Sequence, residues 1–191
     1  MLRPTYPIRT DRLLLRPYAP DDLDSFHAIA GRADINRYLY TAPRDRDQSR
    51  EALKRVMHQS VIDDEHDYLL LAVVIRESGA LIGHVTLERV SREHQQGEVG
   101  YVLHPDHHGH GFATEAATVM LRLGFEVLGF HRIVGRLDAR NEASARVLER
   151  LGMRREAHLR ENEFIKGEWC DELVYAMLAR EWRARAPAVG A

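Results

Sequence analysis

The 191-residue chain predicts a mixed α/β domain: a largely antiparallel, twisted sheet of about seven strands with helices on both faces. Short apolar or alternating runs recur through the first half, separated by turn residues rather than by long helices. A strand–glycine turn–helix unit and then a strand–helix unit follow in the middle, and two more strands flank Gly167 near the end.

The elements follow in order. Arg12 to Arg16 alternates and sets Leu13 and Leu15 on one face, the pattern of a first strand. Asp21 and Asp22 open a helix that runs through Phe26 and Ile29 and stops at Gly31. Gln48 to Val61 reads as a second helix with Leu53, Val56 and Met57 inward. Tyr68 to Ile75 is near-continuously apolar and β-branched, hence a buried strand. Ser78-Gly79 turns the chain into Leu81 to Val90, and Gln96-Gly97 leads into Glu98 to Leu103. A helix from Phe112, a strand at Arg132 to Asp138, a helix from Asn141 and the two closing strands complete the series. Residues 1–182 are expected to form one domain, and residues 183–191 a frayed tail.

Composition narrows the function. Apolar content of 45% and charged content of 29% are those of a soluble globular protein. Net charge is 27 − 29 = −2, so no general surface for nucleic acid is implied. Cys170 is alone, which excludes an intrachain disulfide and suits a reducing compartment. No stretch approaches the ~20 apolar residues of a membrane span, and the expected location is cytoplasmic.

The densest chemical signal is Glu98 to Ala117, EVGYVLHPDHHGHGFATEAA. A strand runs through Pro105 into a His/Gly turn that opens directly onto a helix beginning Phe112-Ala113-Thr114. The first turn of a helix offers unpaired N–H donors and the positive end of the dipole. Gly109 and Gly111 keep side chains away from those donors, which makes an anion cradle. Thr114 stands where a dinucleotide fingerprint needs a third glycine, and no Gly-Lys-Ser/Thr is present, so Rossmann and P-loop readings fail. His104, His107, His108 and His110 invite a metal reading, but they lie in one turn without Cys partners, and no metal is expected.

A second constellation is Asn141 to Arg154, NEASARVLERLGMR, in which Asn141 caps a helix and Gly152 ends it. Together these stretches resemble the GNAT acetyltransferases. In that family an Arg or Gln, two residues, Gly, one residue, then Gly or Ala bind the diphosphate of acetyl-CoA. Here His108 takes the first place, with Gly111 and Ala113 in the matching ones. The opening TDRLLLRPYAPDD (Thr10 to Asp22) and the closing KGEWCDELVYAML (Lys166 to Leu178) are similar to the branch that acetylates N-terminal amines of ribosomal proteins.

The resemblance implies the GNAT fold, with its fourth and fifth strands splayed, and acetyl-CoA as co-substrate with no metal. It places the pantetheine arm against Tyr101, Val102 and Leu103, and the diphosphate at His108, Gly109, His110, Gly111, Phe112, Ala113 and Thr114. A backbone N–H at Val102 or Leu103 would face the thioester oxygen. Glu98 is the candidate base, with a plain surface carboxylate as the alternative. Ser144 is the candidate donor to the leaving thiolate, because Leu148 stands where other branches carry Tyr. The alternative for Ser144 is a bond to the carbonyl four residues back. Asn141 has capping and a pantetheine contact open to it. The expected acceptor is a peptide or protein N-terminal amine, or else a small amine such as a polyamine, amino-sugar or amino acid. A homodimer is compatible, and a non-catalytic acyl-CoA-binding module is the rival class. The acid-rich hairpin Glu161, Glu163, Glu168, Asp171 and Glu172 would border the acceptor side.

Overall fold

The computed structural model describes residues 1–185. One sheet of eight strands is built from β1 (Ile8–Arg9), β2 (Leu13–Arg16), β3 (Tyr68–Ile75), β4 (Leu81–Ser91), β5 (Gln96–Leu103), β6 (Arg132–Asp138), β7 (Arg154–Ile165) and β8 (Glu168–Leu178). Their spatial order is β1-β2-β3-β4-β5-β6-β8-β7. Every neighbouring pair is antiparallel except β5 and β6, which run parallel.

Residue alternation divides the sheet into two faces. Leu69, Leu71 and Val73 of β3 join Val85, Leu87, Val99 and Ile133 beneath α4 (Phe112–Arg122) and α5 (Glu142–Arg150). Leu70 and Ala72 point the other way, to Phe26 and Ala30 of α1 (Leu23–Ala30) and Ala52 and Leu53 of α3 (Arg46–Val56). Burial on both sides is why β3 shows no alternation in its sequence.

The strands β5 and β6 meet only at Gln96↔Arg132, Gly97↔Ile133 and Glu98↔Val134. Past Glu98, β5 stays with β4 as far as Gly83↔Leu103, and a gap opens on its other edge. This is the expected splay. It lies between the fifth and sixth strands here because the two-residue β1, unmarked in the sequence, precedes the rest and raises the count from seven to eight.

Three further boundaries differ from expectation. The second helix is Arg46–Val56, not Gln48 to Val61, because Asp45 caps it through a bond from the Gln48 N–H at 2.8 Å. After Met57 the chain leaves for an isolated bridge between Leu2 and Ile62. The short α2 (Ala33–Asn36) is an addition that no periodicity in the sequence marks. Residues 183–185, expected in a frayed tail, form the last turn of α6 (Ala179–Arg185); the rest of that tail lies outside the described residues.

Candidate active site

The strand β5 ends at Leu103 and passes through a single 3-10 turn, Pro105–His107, into α4. Gly111 caps α4 with φ +79, a left-handed conformation that explains the glycine. Inside this loop the Thr114 hydroxyl oxygen is buried and has no hydrogen-bond partner among the described residues. An orphaned buried polar atom in the first turn of a helix is what an anion would satisfy. The loop therefore fits a diphosphate on its own geometry.

The histidines of the turn do separate things. His108 donates from Nε2 to the Leu103 carbonyl at 2.9 Å, tying the loop back to the strand end. His110 donates from Nδ1 to the His108 carbonyl at 2.8 Å, and its ring stacks on Phe112. Among the described residues no three His, Cys, Asp or Glu side chains converge as a metal site would need.

A cavity of about 540 Å³ lies over this loop. It brings together Tyr101, Val102, Leu103, His108, Gly109, Gly111, Phe112, Ala113, Thr114, Asn141 and Ser144, all singled out in the sequence. His110 is not in its wall. The cavity also takes residues the sequence reading passed over: Tyr38 and Leu39 from the chain after α2, and Arg146 and Arg150 from α5. The two arginines stand four apart on the charged face of an amphipathic helix, a spacing that could have marked them.

The backbone edge of β5 is only partly open. The His104 N–H donates to the Ile82 carbonyl at 2.8 Å. Strict alternation in the antiparallel β4–β5 ladder then turns Val102 toward β4 and leaves Tyr101 and Leu103 facing the gap. Of the two residues expected to offer a free N–H, Val102 is thus ruled out and Leu103 remains. The Leu103 carbonyl is already taken by His108.

Across the gap, Asn141 accepts a bond from the Ser144 N–H at 3.1 Å and so caps α5. The Ser144 hydroxyl does not bond back along its helix. It donates to the Tyr101 hydroxyl at 3.0 Å, and Tyr101 donates in turn to the Ser144 carbonyl at 2.9 Å. Burial pushes the Tyr101 phenol up to about 12, so it holds its proton at neutral pH. Leu148 packs under β6, where a Cβ on Gly135 would come within 2.8 Å of its side chain, and it stays out of the larger cavity while lining the smaller one on the other side of the gap.

The other mouth of the gap is a second cavity of about 240 Å³. Tyr38, Leu39, Tyr101, Val102, Asn141 and Ser144 line both, so the two spaces meet through the sheet at the splay. His84 and Thr86 of β4 and Arg136 of β6 line this second space. Burial drives His84 down to about 4 and keeps it neutral.

Glu98 does not line either cavity but sits 3.5 Å from Arg136, which does. Its carboxyl is raised to about 7, chiefly by burial, with Glu88, Glu172 and Glu163 adding to the rise and Arg136 opposing it. Arg136 also pairs with the buried Glu172 at 3.2 Å, and Glu163 accepts from the Tyr40 hydroxyl at 2.6 Å. The acid-rich hairpin therefore divides. Glu163 and Glu172 turn toward Glu98, whereas Glu168 pairs with Arg140 and Asp171 with His158. Lys166 fastens the hairpin by donating to the carbonyls of Asn36 and Leu39.

The family profile for the acetyltransferase (GNAT) domain matches residues 12–154. The chain is 30% identical over 175 residues to an uncharacterized N-acetyltransferase, YnaD, of Bacillus subtilis (strain 168), covering 92% of this chain and 98% of that one. It is 25% identical over 172 residues to the spermidine N(1)-acetyltransferase of Escherichia coli (strain K12), covering 89% and 88%. Among solved structures it superposes with a TM-score of 0.81 on a GNAT-family acetyltransferase from Bacillus anthracis, 28% identical over 91% of this chain and 99% of that chain. An anion cradle on a splayed strand, with a profile match over most of the chain, leads to one conclusion: the chain is a member of the GNAT family, an N-acetyltransferase that uses acetyl-CoA.

Proposed function

We propose that this enzyme acetylates a cationic primary amine, with the N-terminal amine of a peptide or protein as acceptor. The observation that carries the reading is the junction of the two cavities at Tyr101 and Ser144, with Glu98 and Glu172 paired to the cavity-lining Arg136 and Glu163 close behind them. A group of carboxylates beside one arginine attracts a protonated amine and raises its local concentration. The exposed Tyr40, hydrogen-bonded to Glu163, gives an acceptor longer than the cavity something to rest on. The likeness of the opening and closing segments to the ribosomal-protein branch points the same way.

In this reading acetyl-CoA supplies an activated thioester, and the protein supplies alignment, charge and a route for one proton. The loop 108–114 holds the diphosphate, Arg146 and Arg150 meet its remaining negative charge, and the Leu103 N–H faces the thioester oxygen. Glu98 takes the amine proton through water, since it stands one residue back from the cavity wall. Tyr101, which accepts from the Ser144 hydroxyl, gives its one proton to the leaving sulfur by turning its O–H away from the Ser144 carbonyl.

A polyamine is the second reading, favoured by the relation to a spermidine N(1)-acetyltransferase over most of both chains. The test is thiol release with acetyl-CoA and three acceptors: a peptide with a free N-terminus, the same peptide blocked there but carrying lysine, and spermidine. Highest kcat/KM on the free N-terminus supports the proposal. Preference for spermidine transfers it to the second reading, and preference for the blocked peptide refutes both.

A further inference from the structure

The motif at Thr10 to Arg12 has no part in the chemistry above, yet its side chains reach the back of the anion loop. Arg12 donates from its Nε to the Glu115 carboxylate at 2.7 Å, with an Nη also at 2.7 Å from the same oxygen. The backbone N–H of Arg12 and the Thr10 hydroxyl reach the other carboxylate oxygen at 2.9 and 2.6 Å. The second Nη of Arg12 donates to the His110 carbonyl at 2.8 Å, and the guanidinium lies 4.7 Å from the centre of the Phe112 ring. Arg12 is itself held, because Arg76 donates to the carbonyls of Thr10 and Asp11 and its N–H to that of Arg12.

Glu115 is the reason this arrangement bears on the cofactor. It lies in the first turn of α4, next to Thr114, where a carboxylate takes up the same positive helix end that a diphosphate needs. Left unpaired, it would repel that ligand; paired with Arg12, it adds no net charge and anchors the loop.

We propose that Arg12 is a positioning residue for acetyl-CoA, which it serves from behind the loop by cancelling the Glu115 charge and fixing the His110 carbonyl. This rests on assigning the diphosphate to loop 108–114. Arg12 makes its bonds to protein atoms, so its effect on the ligand is exerted through Glu115 and the backbone.

The experiment is calorimetric titration of CoA into the wild type and into Arg12→Gln, Arg12→Lys, Glu115→Gln and the Arg12→Gln/Glu115→Gln double variant. Amide exchange of residues 108–114 is followed in each ligand-free protein. Arg12→Gln should weaken CoA on the order of tenfold and quicken exchange in the loop. The double variant should regain most of that affinity, Glu115→Gln alone should bind at least as well as wild type, and Arg12→Lys should lose less than Arg12→Gln, because it keeps the charge opposite Glu115 but not the fork that also holds the His110 carbonyl. In turnover the loss should fall on KM for acetyl-CoA rather than on kcat. Unchanged affinity in Arg12→Gln overturns the proposal. So does a double variant as weak as the single one, which would make Arg12 a direct ligand contact or a packing residue. If Arg12→Gln does not fold, Arg12→Lys decides: a loss of affinity that is not reduced when Glu115→Gln is added to it also overturns the proposal. Undiminished binding in Gly111→Val would instead sink the loop assignment itself, a separate failure.

Discussion

Tyr101 and Ser144 are hydrogen-bonded in both directions across the gap between β5 and α5. The Ser144 hydroxyl donates to the Tyr101 oxygen, and the Tyr101 hydroxyl donates to the Ser144 carbonyl. A tyrosine hydroxyl thus stands in the junction of the two cavities although position 148 is leucine. It arrives from the strand, where sequence reading assigned only backbone work to that residue.

The first prediction follows from this pair. Tyr101→Phe removes the proton that meets the leaving sulfur and should lower kcat on the order of a hundredfold. Ser144→Ala leaves the phenol in place but unsupported, and should lower kcat by roughly tenfold or less. Calorimetry should find CoA affinity nearly unchanged in both. A larger kcat loss for Ser144→Ala than for Tyr101→Phe would assign the donor to the serine.

Glu98 couples activity to stability. Its carboxyl, raised to about 7, is a competent base only when ionised, so kcat/KM should climb as pH rises through about 7. Glu98→Gln should remove that inflection and recover at high pH, where the amine loses its own proton. The folded state holds the proton more tightly than the unfolded chain, so folding stability falls as pH rises from the ordinary glutamate value toward 7. Glu98→Gln should therefore gain stability relative to wild type at pH 8 but not at pH 4, by roughly 1–2 kcal/mol once the solvent exposure of the side chain is allowed for. Denaturant titrations at the two pH values measure the difference.

How far the sequence revealed this site depends on the range of the contacts. The loop Pro105 to Thr114 and the capped helix after Asn141 are local, written in glycines, a cap and a short period, and they fold as read. Strand alternation gives the face on which Tyr101 lies but not its partner, which is 43 residues further on. Tyr40 meets Glu163 across 123 residues, and nothing near either predicts the other. The rise of Glu98 is a property of burial and of carboxylates brought in by the closing hairpin, so no local pattern encodes it. The four-residue α2 is too short to show a helical period, yet the chain just after it supplies Tyr38 and Leu39 to both cavities.

Arg146 and Arg150 carry a prediction about the far end of the cofactor. Both line the larger cavity, and Arg146 is paired with Glu142 at only 3.2 Å on an exposed surface, a weak tie. Arg150→Ala should weaken CoA by about three- to tenfold, and the double Arg146→Ala/Arg150→Ala variant by more. The loss should shrink as salt rises, because the contacts are near solvent. Titration with dephospho-CoA in parallel should show less effect of the substitutions if the arginines serve the 3′-phosphate, and an equal effect if they serve the diphosphate.

The acceptor prediction turns on Glu163. Unlike Glu172, which is buried between Arg136 and Asn162, Glu163 has the Tyr40 hydroxyl as its side-chain partner. Its charge is therefore free to act on an incoming cation, and removing it should disturb the fold little. Glu163→Gln keeps an oxygen for Tyr40 while deleting the charge, and should raise KM for a cationic peptide several-fold with kcat within about twofold of wild type. It should also flatten the dependence of kcat/KM on ionic strength, which in the wild type should fall as salt screens the carboxylates. Glu168→Gln is the control, since that carboxylate is engaged by Arg140 and should leave KM unchanged. Equal effects of the two substitutions would mean that the charge of the hairpin as a whole, and not Glu163 in particular, attracts the amine. A salt-independent wild type would remove electrostatic attraction from the account altogether.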